Sequence, residues 1–168
     1  MLVRRGVLML ALVIGSAGAA ALTQDASADP LGGLCQHVGT VHPSPGLNSE
    51  SKAFSFSFRG QVGPCQMADG STRWGTEFGA GKADGDCVTR TATATWTIVW
   101  NSGRRTVIAA SFNGGGNVIN TAGDVIKGEF VGGTFQDGHV LSGFSPTACL
   151  SDGGVTKATY QGAFLIGM

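Results

Sequence analysis

The sequence predicts an all-β protein, an antiparallel barrel or sandwich of about eight strands held together by two disulfides. Three observations predict it: apolar and polar residues alternate in several segments, short turn-forming stretches separate those segments, and four cysteines are present. No window shows a sustained helical period with capping residues. A barrel is favoured slightly over a sandwich, because closure removes exposed sheet edges.

The N-terminal segment has the three parts of a secretory signal. Arg4 and Arg5 precede an apolar run at residues 7–14, which is too short to span a bilayer, and Ala26-Ser27-Ala28 forms an A-x-A cleavage site. We therefore expect a signal peptide at residues 1–28 and one secreted domain at residues 29–168. The alternatives are cleavage at the earlier alanines or a retained membrane anchor.

Charge limits the classes of partner. The full chain carries 11 basic and 11 acidic residues, and the expected mature chain loses two arginines and one aspartate, which leaves a net charge near −1. That balance offers no electrostatic surface for nucleic acid or for an anionic membrane. After signal cleavage, the expected partner is a small molecule, a glycan or a protein outside the cell.

All four cysteines lie in the expected mature chain, and none forms a C-x-x-C pair. An even number in an oxidising compartment favours disulfides, and four cysteines allow three pairings. If residues 36–41 and 54–61 form a hairpin, Cys35 and Cys65 lie at the same end of it. This geometry favours Cys35 with Cys65 and leaves Cys87 with Cys149.

The clearest strand is residues 88–100, where Val88, Arg90, Trp96 and Trp100 share one face and threonines fill the other. Asn101-Ser102-Gly103 then turns the chain back as a hairpin. Gln136-Asp137-Gly138 predicts another turn. The remaining predicted strands are residues 36–41, 54–61, 106–112, 125–134, 139–144 and 156–166, with a weaker one at 71–78.

The order of these features resembles a known group of proteins. In chain order, the features are Cys35, Pro45-Gly46-Leu47, Phe54-Ser55-Phe56, Cys65, Cys87, Ile98-Val99-Trp100-Asn101-Ser102-Gly103, Gly128-Glu129-Phe130, Pro146 to Cys149 and a closing strand with Gly162. In this order the chain resembles the small secreted β-rich actinobacterial proteins of unassigned function. The shared motifs are cysteines, turns and core aromatics, so the resemblance implies a fold and no catalytic residue.

The residue patterns identify no catalytic set. No serine stands in a G-x-S-x-G turn, and the cysteines are better explained as disulfides. An enzyme would need two or three residues to converge in one cleft from a set of five. The five are His37, His42, His139, Glu77 and Glu129. Glu129 is expected on the solvated face of its strand.

Metal and cofactor sites are not expected. His37 and His42 are five positions apart, which on a strand directs them to opposite faces. Asp84-Gly85-Asp86 lacks the further ligands of a calcium loop and is explained as a turn before Cys87.

Three residues are the candidates for ligand binding. Trp74, between Arg73 and Gly75, is the best candidate for an exposed ring, whereas Trp100 lies on the apolar face of its strand. Arg90 lies on that same apolar face, where an unpaired arginine is rare. We expect Arg90 at a barrel mouth near Cys87, or bonded to a carboxylate, or facing a ligand.

The sequence thus favours a secreted, non-enzymatic β domain that binds a small molecule, a glycan or a protein partner. The alternatives are an extracellular hydrolase and a structural or inhibitory protein with no ligand pocket. An apolar cavity would favour the binder, whereas a filled interior would favour the structural class.

Overall fold

The computed structural model describes residues 32–167, so the expected signal peptide lies outside the described residues. The strands form one closed antiparallel barrel in which each strand pairs with its neighbours along the chain and β1 pairs with β8. The strands are β1 (Gly33–Ser44), β2 (Lys52–Met67), β3 (Thr72–Gly85), β4 (Thr89–Trp100), β5 (Arg105–Gly115), β6 (Val118–Gly128), β7 (Thr134–Ser142) and β8 (Ala158–Ile166). The predicted all-β fold is confirmed, and of the two predicted architectures, barrel and sandwich, the protein has the barrel.

The alternation that predicted the strands sorts side chains between the barrel interior and the outer surface. On β4, Trp96, Ile98 and Trp100 are buried, while Thr91, Thr93 and Thr95 are exposed. Val88 is an exception to the prediction, because it precedes the strand and is exposed.

Both disulfides have the pairing favoured by the hairpin geometry. Cys35 bonds Cys65 across β1 and β2, and Cys87 bonds Cys149. The second disulfide ties the β3–β4 connection to α1 (Pro146–Cys149), a short helix capped by Ser145. Two disulfides are typical of extracellular proteins.

The chain between β6 and β7 differs from the prediction of a strand at residues 125–134. The chain leaves the sheet after Gly128 and turns through Phe130 and Gly132, all three with positive φ, before β7 begins at Thr134. The turn expected at Gln136-Asp137-Gly138 was also wrong, since these residues lie inside β7. Burial of Phe135, Asp137, His139 and Leu141 at alternate positions explains why the segment is a strand despite its Asp-Gly pair.

The two ends of the barrel interior differ. One end is filled by large apolar side chains, among them Met67, Ile98, Trp100, Phe130 and Ile166. Toward the other end, the inward positions hold smaller residues such as Ala83, Ala92 and Gly114. Among the described residues, no helix has the length and hydropathy needed to cross a bilayer.

Candidate functional site

A cavity with a volume of about 80 Å³ occupies the less filled end of the barrel. Its walls are mainly aromatic, and the polar side chains among its described lining residues are Arg90, His139 and Tyr160, with the indole of Trp96 beside them. The aromatic wall residues are Phe54, Phe56, Phe58, Phe112 and Phe144. A cavity of this kind, apolar with a few fixed polar groups, is typical of small-molecule sites.

A network of polar side chains lies across the middle of the barrel, and Glu77 is one of its two carboxylates. Glu77 is 1% exposed. Its Oε1 accepts hydrogen bonds from the Tyr160 hydroxyl at 2.7 Å and from His37 Nδ1 at 3.1 Å. Its Oε2 accepts from Trp96 Nε1 at 3.1 Å. Three donors therefore hold the Glu77 carboxylate, as burial of a charged group requires.

Asp137 is the second carboxylate of the network. Its Oδ2 accepts from His139 Nδ1 at 2.7 Å and from Thr121 Oγ1 at 3.0 Å. Its Oδ1 lies 3.0 Å from His37 Nε2, and neither of these two atoms has a well-aligned hydrogen-bond partner among the described residues. The His37–Asp137 contact is thus an ion pair, and His37 links the two carboxylates.

Glycines leave the space in which the network forms. Gly60 and Gly39 lie in register between Glu77 on β3 and Tyr160 on β8. A Cβ added at Gly39 would lie 2.3 Å from the Tyr160 hydroxyl, and one at Gly60 would lie 2.8 Å from Glu77 Oε1. Because both positions lack side chains, the tyrosine hydroxyl can reach the glutamate across two intervening strands.

Gly162 has the same role between the two histidines. It lies in register with His139 on β7 and with His37 on β1. A Cβ there would lie 2.5 Å from His139 Cβ. The two imidazole rings consequently approach edge to face, with centroids 5.6 Å apart.

The electrostatics of the network follow from its contacts. Burial alone would lower the pKa of His37, but its contacts with Asp137 and Glu77 outweigh burial and raise the pKa to about 9. Burial would raise the pKa of Asp137, yet its hydrogen bond to His139 and its ion pair with His37 hold that pKa below the usual value. Burial and the Glu77 charge raise the pKa of Tyr160, so its hydroxyl remains a hydrogen-bond donor.

Of the two histidines in the network, His139 is the one that lines the cavity. It lines the cavity wall and keeps 9% of its side-chain surface accessible, whereas the side chains of His37, Glu77 and Asp137 are fully covered. Because Nδ1 donates to Asp137, the neutral ring has its lone pair on Nε2, the nitrogen left to meet a ligand. Asp137 thus fixes both the tautomer and the orientation of the ring.

The donor atoms of His37, Asp137 and His139 lie within 4.8 Å of one another, which makes these residues the candidate ligands for a metal ion. The present arrangement fits a hydrogen-bonded chain better. A metal would have to separate His139 Nδ1 from the Asp137 oxygen at 2.7 Å and displace the proton that the raised pKa keeps on His37.

The three residues predicted to bind ligand lie in three different places. Arg90 lines the cavity at the barrel mouth, where its guanidinium donates to the backbone oxygens of Gly116 at 2.6 Å and Cys87 at 3.1 Å. Trp74 is half exposed, and it does not line the cavity. Trp100 is buried at the filled end, where its indole donates to Thr106 Oγ1 at 2.9 Å.

Three of the five residues that an enzyme would need to bring together do converge, namely His37, His139 and Glu77. His42 is exposed on β1, with its side chain on the opposite face from His37. Glu129 was expected to be solvated, and that was wrong: it is 8% exposed and pairs with Arg73 at 3.0 Å and Arg104 at 3.2 Å. The turn after β6 brings Glu129 to these arginines.

Comparison with known proteins adds no relative. No family model, no curated protein and no solved structure matches this chain. The site must therefore be interpreted from its own residues.

Sequence reasoning did not assemble this network. Asp137 was assigned to a turn, and the strand that carries Glu77 was the weakest of the predicted strands. A usable signal exists in β7, where Asp137 and His139 alternate with Phe135 and Leu141. Charged residues at the apolar positions of an alternating strand point into the interior and need partners there.

Proposed function

We propose that this protein is a secreted β-barrel that binds one small, mainly apolar molecule in the cavity at the less filled end of the barrel. The observation that carries the proposal is the aromatic-walled cavity, which ends on a few fixed polar groups. The two disulfides support an extracellular location, as does the signal-like composition of residues 1–28.

The lining favours a small molecule over the other expected partners. Phenylalanines dominate the walls, and an oligosaccharide would leave most of its hydroxyls without partners against them. A cavity volume of about 80 Å³ is well below that of a site for a drug-sized molecule, which favours a small ligand. The unfilled end of the barrel also weighs against the structural or inhibitory alternative.

Blocking the cavity tests the proposal. Ala92 lines the cavity from β4, and Thr93, its neighbour, faces the outer surface. Calorimetric titration of the mature protein with indole, 1-naphthol, acetophenone and cyclohexanone should detect binding of at least one of them. Ala92→Phe should weaken that binding by at least about tenfold because its ring fills the cavity. The control, Thr93→Phe, adds the same ring outside and should bind as the wild type does.

Two results would contradict the proposal. One is that none of the four compounds binds. The other is that Ala92→Phe, folded as judged by its near-UV circular dichroism, binds as tightly as the wild type.

A further inference from the structure

We propose that His139 is a general base at the floor of the cavity and that the barrel catalyses proton transfer on a small, apolar C–H acid. This inference rests on the proposed binding function. It assigns to the same cavity the class of reactions that begin with proton abstraction from carbon, such as a double-bond shift or an elimination.

The His139–Asp137 pair has the geometry of an oriented base. Asp137 Oδ2 lies 2.7 Å from His139 Nδ1, and Thr121 fixes the same oxygen from β6 at 3.0 Å. A buried carboxylate at this position holds the neutral ring with its lone pair on Nε2 and stabilises the imidazolium that forms when Nε2 takes a proton. Asp137 is a positioning residue in this account.

His37 and Glu77 keep the Asp137 carboxylate available for this role. His37 lies between the two carboxylates and balances the charge of Asp137 from the side away from His139. Glu77 is held by Tyr160, Trp96 and His37 and therefore has no oxygen free for a substrate. Side-chain contacts connect four ionisable groups in the order Glu77, His37, Asp137 and His139. Among these four, only His139 keeps accessible side-chain surface.

The cavity lining narrows the reaction class. Its described lining residues include no serine, threonine or cysteine, and the four cysteines form disulfides. A covalent hydrolase mechanism needs such a nucleophile next to the histidine. Proton abstraction needs only the base, an apolar cavity to hold the substrate and exclusion of bulk water.

The base-promoted ring opening of 5-nitro-1,2-benzisoxazole provides a probe reaction. His139 Nε2 removes the proton on the ring carbon, the C–H electron pair forms the nitrile, and the N–O bond breaks with its electrons on the oxygen. The product is a coloured 2-cyano-4-nitrophenolate, and the imidazolium then returns its proton to water. The step needs no oxidant, reductant or second substrate.

The wild-type mature protein, dialysed against EDTA, should open this ring with saturation kinetics. Its rate should exceed that of equimolar imidazole by about 10²-fold or more. Asp137 on β7, His37 on β1 and Tyr160 on β8 face the His139 ring, so the rate is recorded as a pH profile that changes in these groups should displace.

His139→Asn is the decisive variant, because its amide can still donate to Asp137 while Nε2 is gone. We expect its rate to fall to that of the control without protein. Asp137→Asn should lower the rate at least about tenfold and displace the pH profile, since the fixed tautomer is lost. His42→Asn replaces an exposed histidine of β1 and should leave rate and profile unchanged.

Ala92→Phe replaces no member of the network and blocks the cavity, so it should also abolish the reaction, even if His139→Asn does not fold. Binding of indole without ring opening, or ring opening that survives in folded His139→Asn, would overturn the assignment of the base and leave the binding proposal standing. Failure of all four small molecules to bind would overturn both.

Discussion

His37 lies between two carboxylates in the barrel interior, and its charge makes their burial possible. Its Nδ1 is 3.1 Å from Glu77, its Nε2 is 3.0 Å from Asp137, and its ring stacks on Trp96 with centroids 5.6 Å apart. Removing one partner from such a set leaves an uncompensated buried charge, which is strongly destabilising. The sequence pattern did not predict that His37 faces the interior, and its two partners come from β3 and β7.

The raised pKa of His37 predicts how stability depends on pH. Its pKa is about 9 in the folded protein and near 6.5 when unfolded, so protonation stabilises the fold. That stabilisation, on the order of 3 kcal/mol, is complete below about pH 6.5 and is lost as pH rises through 9. Urea unfolding of the mature protein between pH 6 and 10 should show this decline.

The matched controls are His42→Gln and His37→Gln. His42→Gln should reproduce the wild-type curve, because His42 is exposed. His37→Gln should be less stable at pH 6 and should lose the decline assigned to this group. A wild-type protein that is equally stable at pH 6.5 and 9.5 would show that His37 is not held as an imidazolium.

At the scale of the strands, the interior depends on where side chains are absent as much as on where they are present. Gly39 on β1 and Gly60 on β2 form a gap between β3 and β8 that the Tyr160 hydroxyl crosses to reach Glu77. A glycine in a strand commonly marks a close approach of this kind. From the sequence alone, these glycines are indistinguishable from those at turns.

Ala substitution at Gly60 tests this gap. A Cβ there would lie 2.7 Å from the Tyr160 hydroxyl and 2.4 Å from the Val38 carbonyl oxygen, so the strands or the tyrosine must move. Gly60→Ala should lower the free energy of unfolding by about 1–3 kcal/mol, measured in urea. Tyr160→Phe should cost about 1–3 kcal/mol through loss of a donor to a buried carboxylate.

The double variant Gly60→Ala/Tyr160→Phe should cost less than the sum of the two single changes, because the hydroxyl that meets the new methyl is gone. Gly70→Ala gives a control for glycine replacement without a steric neighbour, although its positive φ adds backbone strain. If the losses in the free energy of unfolding of the two single variants simply added in the double variant, the glycine gap and the Tyr160–Glu77 hydrogen bond would be independent.

Alternation predicted most strands and their inward faces, since it reports directly which side chains are buried. Residues 88–100 and 156–166 correspond to β4 and β8 with shifts of one or two positions at their starts. The boundary between β6 and β7 was missed because the Asp137-Gly138 pair is an ordinary turn signal, and only tertiary pairing shows that Asp137 is inside a strand. The network was missed for the same reason, since its members come from six strands.

In the barrel as a whole, large apolar side chains fill one end, the cavity lies toward the other end, and the polar network lies between the two. The Cys35–Cys65 disulfide belongs to the filled end, whereas Cys87–Cys149 holds α1 against the β3–β4 connection near the mouth. Arg90 stacks on Phe144 at 4.8 Å and bonds the backbone of two mouth segments. These contacts keep the mouth shaped around a cavity whose floor includes His139.

The most direct measurement is a long-range nitrogen–proton NMR spectrum of the histidine side chains at neutral pH, with and without a bound small molecule. We expect His37 to be protonated on both nitrogens, neutral His139 to carry its proton on Nδ1, and the ligand to shift Nε2 of His139 most. Neutral His37, the opposite tautomer at His139, or a ligand that leaves His139 unshifted while moving His42 would contradict it.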